Sequence, residues 1–302
     1  MKLSKIKLAI LSLIFVNIVW GAAFPIYKLT LTNIPPLTFA FLRFFFAAIL
    51  IFPFVYKNLR VQLRDIVDLL LLSIVGITFT ITLINFGLKL SSSINAPIIL
   101  SAGPIVLIIG SFLYLKEKLK IKVIYGTIVS FIGVLVIVLM PVFSKGFDTS
   151  VNGNLFFVFA GIFSVIHTLI LKKLLSKYNL LTLTFWSFLL ASLPLIPFLF
   201  LEYSQTHWLL RLSSVSLSGI IFAVVLATAV CYTLNAYGIK YIAANEVGIF
   251  TYVDPIATII IAIPLLHESI SLPYLIGAFL VFGGIFIAEG RIYYHPLHRL
   301  FR

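Results

Sequence analysis

The 302-residue chain is 62% hydrophobic and only 10% charged, with a mean hydropathy of +1.18, whereas a water-soluble domain carries roughly a quarter charged residues. That composition excludes an ordinary soluble fold and leaves the lipid bilayer as the solvent. The formal charge of +13 would suggest nucleic acid in a soluble protein, but the basic residues cluster in short gaps between apolar runs, so they read as topology signals and no nucleic-acid partner is expected.

In chain order, apolar runs of spanning length predict ten transmembrane helices near residues 7–28, 35–55, 66–88, 93–115, 122–141, 153–172, 180–201, 214–238, 246–266 and 273–291. Lys2, Lys5 and Lys7 precede the first run, and Gly21-Ala22-Ala23 could pass for a peptidase site. The run continues through Phe24 to Tyr27, so it reads as a span and not as a cleaved signal. The longest connector, about 141–153, is too short to fold alone. Cys231 is the single cysteine and lies inside an apolar run, which removes intramolecular disulfides and thiolate metal clusters. The expected fold is therefore an all-α membrane protein.

An internal repeat organises the chain. Phe86-Gly87-Leu88-Lys89 returns 151 residues later as Tyr237-Gly238-Ile239-Lys240, and Pro104, Glu117, Gly126 and Gly133 return as Pro255, Glu268, Gly277 and Gly284 without a gap. The predicted units are 1–145 and 152–292, each of five spans, with a cytoplasmic tail at 293–302. With the amino terminus inside, seventeen of the 22 lysines and arginines fall on the cytoplasmic side, and this bias places both termini in the cytoplasm of a cell-membrane protein. Five spans per unit is an odd number, so the second copy enters the membrane from the opposite face. The connectors agree: Lys116-Glu117-Lys118-Leu119-Lys120 on the inner side matches His267-Glu268-Ser269-Ile270-Ser271, without lysine, on the outer side. Inverted repeats underlie alternating access in many carriers. A phosphate-cradling loop of the P-loop type is absent from the sequence, which argues against nucleotide hydrolysis.

The chain resembles the drug/metabolite transporter superfamily, specifically the EamA-type ten-span exporters. Trp20-Gly21 with Phe24 and Lys28, Leu42-Arg43-Phe44, the repeated Gly-x-Lys, Pro and Glu landmarks, and Ala243-Ala244-Asn245-Glu246 carry the resemblance over essentially the whole chain. It implies transport of amino acids, related metabolites or drugs, mostly outward. The second copy of the opening helix departs from the family pattern, with His167 in Gly161-Ile162-Phe163-Ser164-Val165-Ile166-His167 and no tryptophan.

Polar groups within the spans are the candidate site. Arg43 reads either as a clamp for a substrate carboxylate or as a tie to a neighbouring helix. Asp254, beside Pro255 near the middle of the ninth span, reads as a substrate-amine or coupling site, or as a partner of Arg43; the first copy has Gly103 there. Asn85 and Asn235 need partners in lipid, and Trp20, Tyr232, Tyr237 and Tyr252 suit an amphipathic cavity. Glu246 reads as a helix cap, Glu117 and Glu268 as lysine partners or caps at span ends or as gates, and His167 as a hydrogen-bonded residue near a cytoplasmic helix end or a proton relay. Pro104, Pro255, Gly87 and Gly238 are candidate hinge or gating positions, while Gly126/Gly133 and Gly277/Gly284, seven apart, mark smooth faces for close helix packing.

The expectation is a secondary transporter for a small amphipathic metabolite, an amino acid or a derivative, with export favoured. It needs no cofactor and no metal; its partners are the substrate, the bilayer and a coupling proton or ion, and monomer and homodimer are both open. A multidrug or cationic-compound exporter and a passive channel are the competing readings. An enzyme has no support, since no nucleophile lies beside a base in sequence.

Overall fold

A computed structural model describes residues 5–103, 121–145, 149–242 and 247–289 of the chain. Among these residues helices and short turns account for the structure, and no strand occurs. The helices are α1 Lys5–Thr30, α2 Pro36–Val55, α3 Leu63–Leu90, α4 beginning as Asn95–Leu100, α5 Ile121–Lys145, α6 Thr149–Leu174, α7 Leu180–Thr206, α8 Ser214–Tyr241, α9 Val253–Leu266 and α10 Leu272–Glu289. Six of them (α1, α2, α3, α6, α7 and α8) are long and apolar enough to cross a bilayer, and α5, α9 and α10 contain shorter apolar helices. The ten segments fit the ten runs of the sequence. Pro104, Glu117 and the Ala243-Ala244-Asn245-Glu246 motif lie outside the described residues, as does the tail 293–302.

Exposed Phe46, Phe54, Phe200, Ile260, Phe279 and Phe286 give the bundle an apolar exterior, which is stable only if lipid covers it. Polar residues are turned inward instead, as the same physics requires.

The local structure differs from the sequence reading in three places. Helix α5 runs on to Lys145 and α6 begins at Thr149, so the long connector shrinks to a few residues. Pro25 and Pro264 are carried inside unbroken helices. Pro255, in contrast, sits in the first turn of α9, directly after a 3-10 turn over Gly248–Tyr252. A proline is tolerated in a first turn because its missing N–H has no helical acceptor there. Asp254 is therefore at a junction between two helical windings and not in the middle of a regular helix.

The repeat is visible in the element boundaries. Helix α3 widens into a π-helical stretch at Leu71–Phe79 and returns to α geometry over Thr80–Leu90; α8 does the same at Phe222–Val230 and Cys231–Tyr241, each boundary 151 residues later. Helices α1 and α6 are both 26 residues long.

The glycine pairs meet one another. A Cβ on Gly284 would lie 2.4 Å from the Gly126 carbonyl, and one on Gly133 would lie 2.7 Å from the Gly277 carbonyl. Gly126 facing Gly284 while Gly133 faces Gly277 makes α5 and α10 antiparallel, at a separation only glycine permits. Ser130 Oγ donates to the Val281 carbonyl in the same seam, at 2.8 Å. Gly87 and Gly238 are also contact seats: a Cβ at Gly87 would strike Phe157, and one at Gly238 would strike Leu13.

Candidate functional site

A cavity of about 230 Å³ lies among α1, α2, α3, α4, α6, α8 and α9. Trp20, Phe24 and Tyr27 come from α1, Arg43 from α2, Thr80 and Ile84 from α3, Ser164, His167 and Thr168 from α6, Tyr232 and Asn235 from α8, and Asp254 from the start of α9. The two copies contribute matching positions. Gly103 and Asp254 both line the cavity, as do Ile81 and Tyr232, Ile84 and Asn235, and Leu100 and Thr251, each pair 151 residues apart. Trp20 with Ser164, Ala23 with His167, and Phe24 with Thr168 do the same at the 144-residue spacing of α1 and α6. Where one copy is apolar, the other is usually polar.

Close backbone approach builds this wall. Gly21 lets α1 touch α9, since a Cβ there would lie 2.4 Å from the Asp254 carbonyl, and Thr258 Oγ1 donates to the Gly21 carbonyl at 2.7 Å. Asp254 is thereby held one residue away from Trp20. Trp20 Nε1 donates to the Ala227 carbonyl in the π-helical stretch of α8, at 2.9 Å. Gly76, in the π-helical stretch of α3, gives room for His167, whose Cβ would be 2.8 Å from an added methyl.

Arg43 is only 2% exposed. Its Nε donates to Thr228 Oγ1 at 3.2 Å, and its guanidinium lies 4.4 Å from the Tyr27 ring centroid and 5.3 Å from that of Phe44. A desolvated cation over a ring gains about 2 kcal/mol, against an insertion cost of about 2.5–3.5 kcal/mol. The rings thus offset much of the penalty, yet Nη1 has no partner. Asp254, 8% exposed, receives no hydrogen bond on its carboxylate among the described residues, and Oδ1 is fully buried. The two opposite charges do not pair with each other: among the described residues the ion pairs are Lys28–Glu268, Lys173–Asp68 and Lys177–Asp65.

Buried polar atoms almost always find partners. Four exceptions lie on the cavity wall, where Asn17 Oδ1, Tyr27 Oη, Arg43 Nη1 and Asp254 Oδ1 have no hydrogen-bond partner among the described residues. Tyr232 stands among them, edge-on to Trp20 at 5.3 Å and to His167 at 5.9 Å between ring centroids.

Of the residues singled out in the sequence, Trp20, Arg43, Tyr232, Asn235 and Asp254 share this one wall. Asn85 does not: it is fully buried behind the wall, and its Nδ2 donates to the Pro36 carbonyl at 2.9 Å. Tyr252 packs edge-on against Phe282, and Tyr237 packs at a tilt against Tyr241. His167 also lines the cavity. Asn17, Tyr27 and Thr228 were not singled out; Tyr27 and Thr228 are ordinary residues of an apolar run until Arg43 is placed between them. The equivalence of Gly103 with Asp254 was the signal that could have led to the other paired wall positions.

Glu268, in the turn after α9, is bound at the opposite end of that helix. Lys28 Nζ donates to its Oε1 at 2.8 Å, Ser93 N donates to the same oxygen, and Ser92 Oγ, Ser93 Oγ and Ile94 N reach Oε2. Burial pushes the carboxyl up, but these donors, led by Lys28 and Ser92, outweigh it and hold Glu268 below its ordinary value. Among the described residues no group of three potential ligands could hold a metal ion.

Comparison with known proteins follows the same outline. The sequence profile of the EamA-like transporter family matches residues 7–139 and again residues 151–289. A protein of Archaeoglobus fulgidus named "Uncharacterized transporter" is 29% identical, over 89% of this chain and 94% of its own length. "Uncharacterized transporter YetK" of Bacillus subtilis is 26% identical, over 88% of this chain and 82% of its own. A crystal structure at 15% identity superposes with a TM-score of 0.61 over 91% of this chain and 94% of that one, which supports the fold alone. With two family matches that cover nearly all of its spans, a bundle coated in apolar side chains and a polar cavity at its centre, this chain is a multi-pass membrane protein that belongs to the EamA-like transporter family.

Proposed function

We propose that the protein is a secondary carrier that exports a small amphipathic metabolite, an amino acid or a close derivative, by alternating access. The observation that carries the reading is the pair of buried, opposite and mutually unpaired charges in one cavity, Arg43 and Asp254. An amino acid supplies the two missing partners at once. Its carboxylate would meet the free Nη1 of Arg43, and its ammonium would meet the carboxylate of Asp254, with Trp20 and Tyr232 against its apolar part. Either charge alone would remain costly in a low-dielectric cavity, so a zwitterion is favoured over an ion of one sign.

Two halves of inverted topology, 1–145 and 152–292, would supply the motion. The recurrent π-helical stretches and the antiparallel meeting of Gly126 with Gly284 and Gly133 with Gly277 support that arrangement. The positive-inside bias supports cytoplasmic termini, which puts Lys172, Lys173 and Lys177 inside and Lys28 and Glu268 outside.

The test is counterflow in proteoliposomes with a mixture of labelled amino acids, for the native protein, Arg43→Ala and Asp254→Asn. The expected result is saturable, exchange-stimulated flux that both substitutions abolish. Normal transport by both variants would disprove the polar site. A competing reading, a lipophilic-cation exporter, draws on the aromatic wall beside Asp254; block by such cations with no effect of any amino acid would favour it.

A further inference from the structure

The Glu268 carboxylate takes five hydrogen bonds, from two places in the chain far from its own. Lys28 belongs to the last turn of α1, the helix that carries Trp20, Phe24 and Tyr27 into the cavity. Ser92, Ser93 and Ile94 form the turn between α3 and α4. Glu268 itself follows α9, whose first turn holds Asp254. Lys28 adds a further tie, donating to the Ser91 carbonyl at 2.7 Å. On this side the cavity wall ends at Tyr27, Ile84 and Leu100, whereas at the other end of the α9 segment it extends as far as Val247.

The same anchor recurs at the opposite end of the molecule. Lys172 stands to α6 as Lys28 stands to α1, and its Nζ donates to the carbonyl of Ile242, the counterpart of Ser91, at 2.7 Å and to that of Ile239. A lysine at the end of the first helix of each copy thus holds the turn after the third helix of the same copy. Helices that must separate for the cavity to change sides are pinned at these two turns. A salt bridge with only solvent-exposed partners would be weak, but the Glu268 side chain is 11% exposed and takes five donated hydrogen bonds.

We propose that Glu268 is the bolt of a gate: seated between Lys28 and the Ser92–Ser93 turn it closes the cavity on that side, and its withdrawal is the step that exposes the cavity there. The inference rests on the alternating-access reading. In an exporter of this orientation the bolt governs release on the Glu268 side. Ser92 and Ser93 hold the bolt when it is closed and do not touch substrate.

Thiol labelling tests the gate without a known substrate. Cys231→Ser removes the single native thiol, and Ile84→Cys then reports from the wall with a membrane-impermeant charged maleimide, in right-side-out and inside-out vesicles. In the parent, labelling is expected to be slow from the Glu268 side. Glu268→Gln should speed labelling from the Glu268 side about tenfold or more, because the charged acceptor of these bonds becomes a neutral amide with a single acceptor oxygen. The paired Ser92→Ala and Ser93→Ala variant keeps the Lys28 ion pair, so a smaller acceleration in the same direction is expected even if Glu268→Gln does not fold. Unchanged two-sided labelling ratios in either variant would overturn the gate. Loss of transport in Arg43→Ala and Asp254→Asn with those ratios unchanged in the Glu268 variant would leave the binding site standing and remove the gate; the reverse pattern would keep the gate and remove the site.

Discussion

Thr228→Val is the sharpest test of how Arg43 is held. Thr228 is fully buried in the π-helical stretch of α8, and its Oγ1 is the acceptor for Arg43 Nε at 3.2 Å. Valine keeps the β-branched outline and removes only the hydroxyl, so Nε becomes a second unpartnered donor on a guanidinium that already has Nη1 free. A hydrogen bond to a charged group contributes about 1.5–3 kcal/mol, and leaving the donor buried and unmet puts the cost at the upper part of that range. The folded population should fall by a factor of roughly 10 to 150 relative to the unfolded, since each 1.4 kcal/mol is tenfold. Thr228→Ser restores the acceptor and should recover most of the loss. The assay is equilibrium unfolding in mixed micelles, followed by tryptophan fluorescence, with Arg43→Met as the reference that removes the donor itself. In the Arg43→Met background Thr228→Val should cost far less, because the coupling has gone. If Thr228→Val is neutral in the native background, or equally damaging in both, Thr228 does not hold Arg43 and the geometry assigned to the clamp is wrong.

Three further outcomes are expected. Gly277→Ala should destabilise the α5–α10 seam by about 1–3 kcal/mol, because its Cβ would lie 2.4 Å from Ile137 Cγ1; Gly283→Ala, with nothing within 4 Å, should be neutral in the same unfolding assay. Glu202→Ala should cost about 1–3 kcal/mol, since the Glu202 carboxylate accepts the Leu37 and Thr38 amides that open α2; equal stability of Glu202→Ala and the parent would refute that capping role. Glu268 has a carboxyl held below its unfolded value, so the stability it contributes is fully present above the usual carboxylate range and is lost as pH falls through the lower folded value. Unfolding midpoints measured down the acid limb should therefore drop in the parent, and less steeply in Glu268→Gln.

The candidate site was partly legible. Arg43 and Asp254 stood out because ionisable groups in apolar runs are expensive, and the structure brings both to one wall. Asn85 carried the same signal, yet it does not line the cavity, and its Nδ2 donates to the Pro36 carbonyl. A polar residue in a span needs a partner, and the sequence does not distinguish a neighbouring backbone carbonyl from a ligand. His167 was read from its place near a predicted helix end; only the packing shows that Gly76 admits it between α6 and α3, where it lines the cavity. The glycines at positions 87 and 238 read as hinges from their recurrence, and the structure seats Phe157 and Leu13 on them.

Composition and charge distribution were sufficient for the solvent, the all-helical class and the order of the spans, because hydrophobic length and lysine bias are local properties that each segment carries by itself. The 151-residue repeat was local information as well, since it compares the chain with itself. Which face of each span meets lipid and which meets the cavity could not be read the same way. In a chain this apolar all faces of a helix look alike, and only close approach at Gly21, Gly76 and the Gly126–Gly284 seam decides the rotation of each helix. That rotation sets Arg43 against Tyr27 and Thr228, leaves Asp254 without a donor among the described residues, and brings Glu268 to Lys28 across 240 residues. These contacts join residues from different helices, so they came into view only with the tertiary packing.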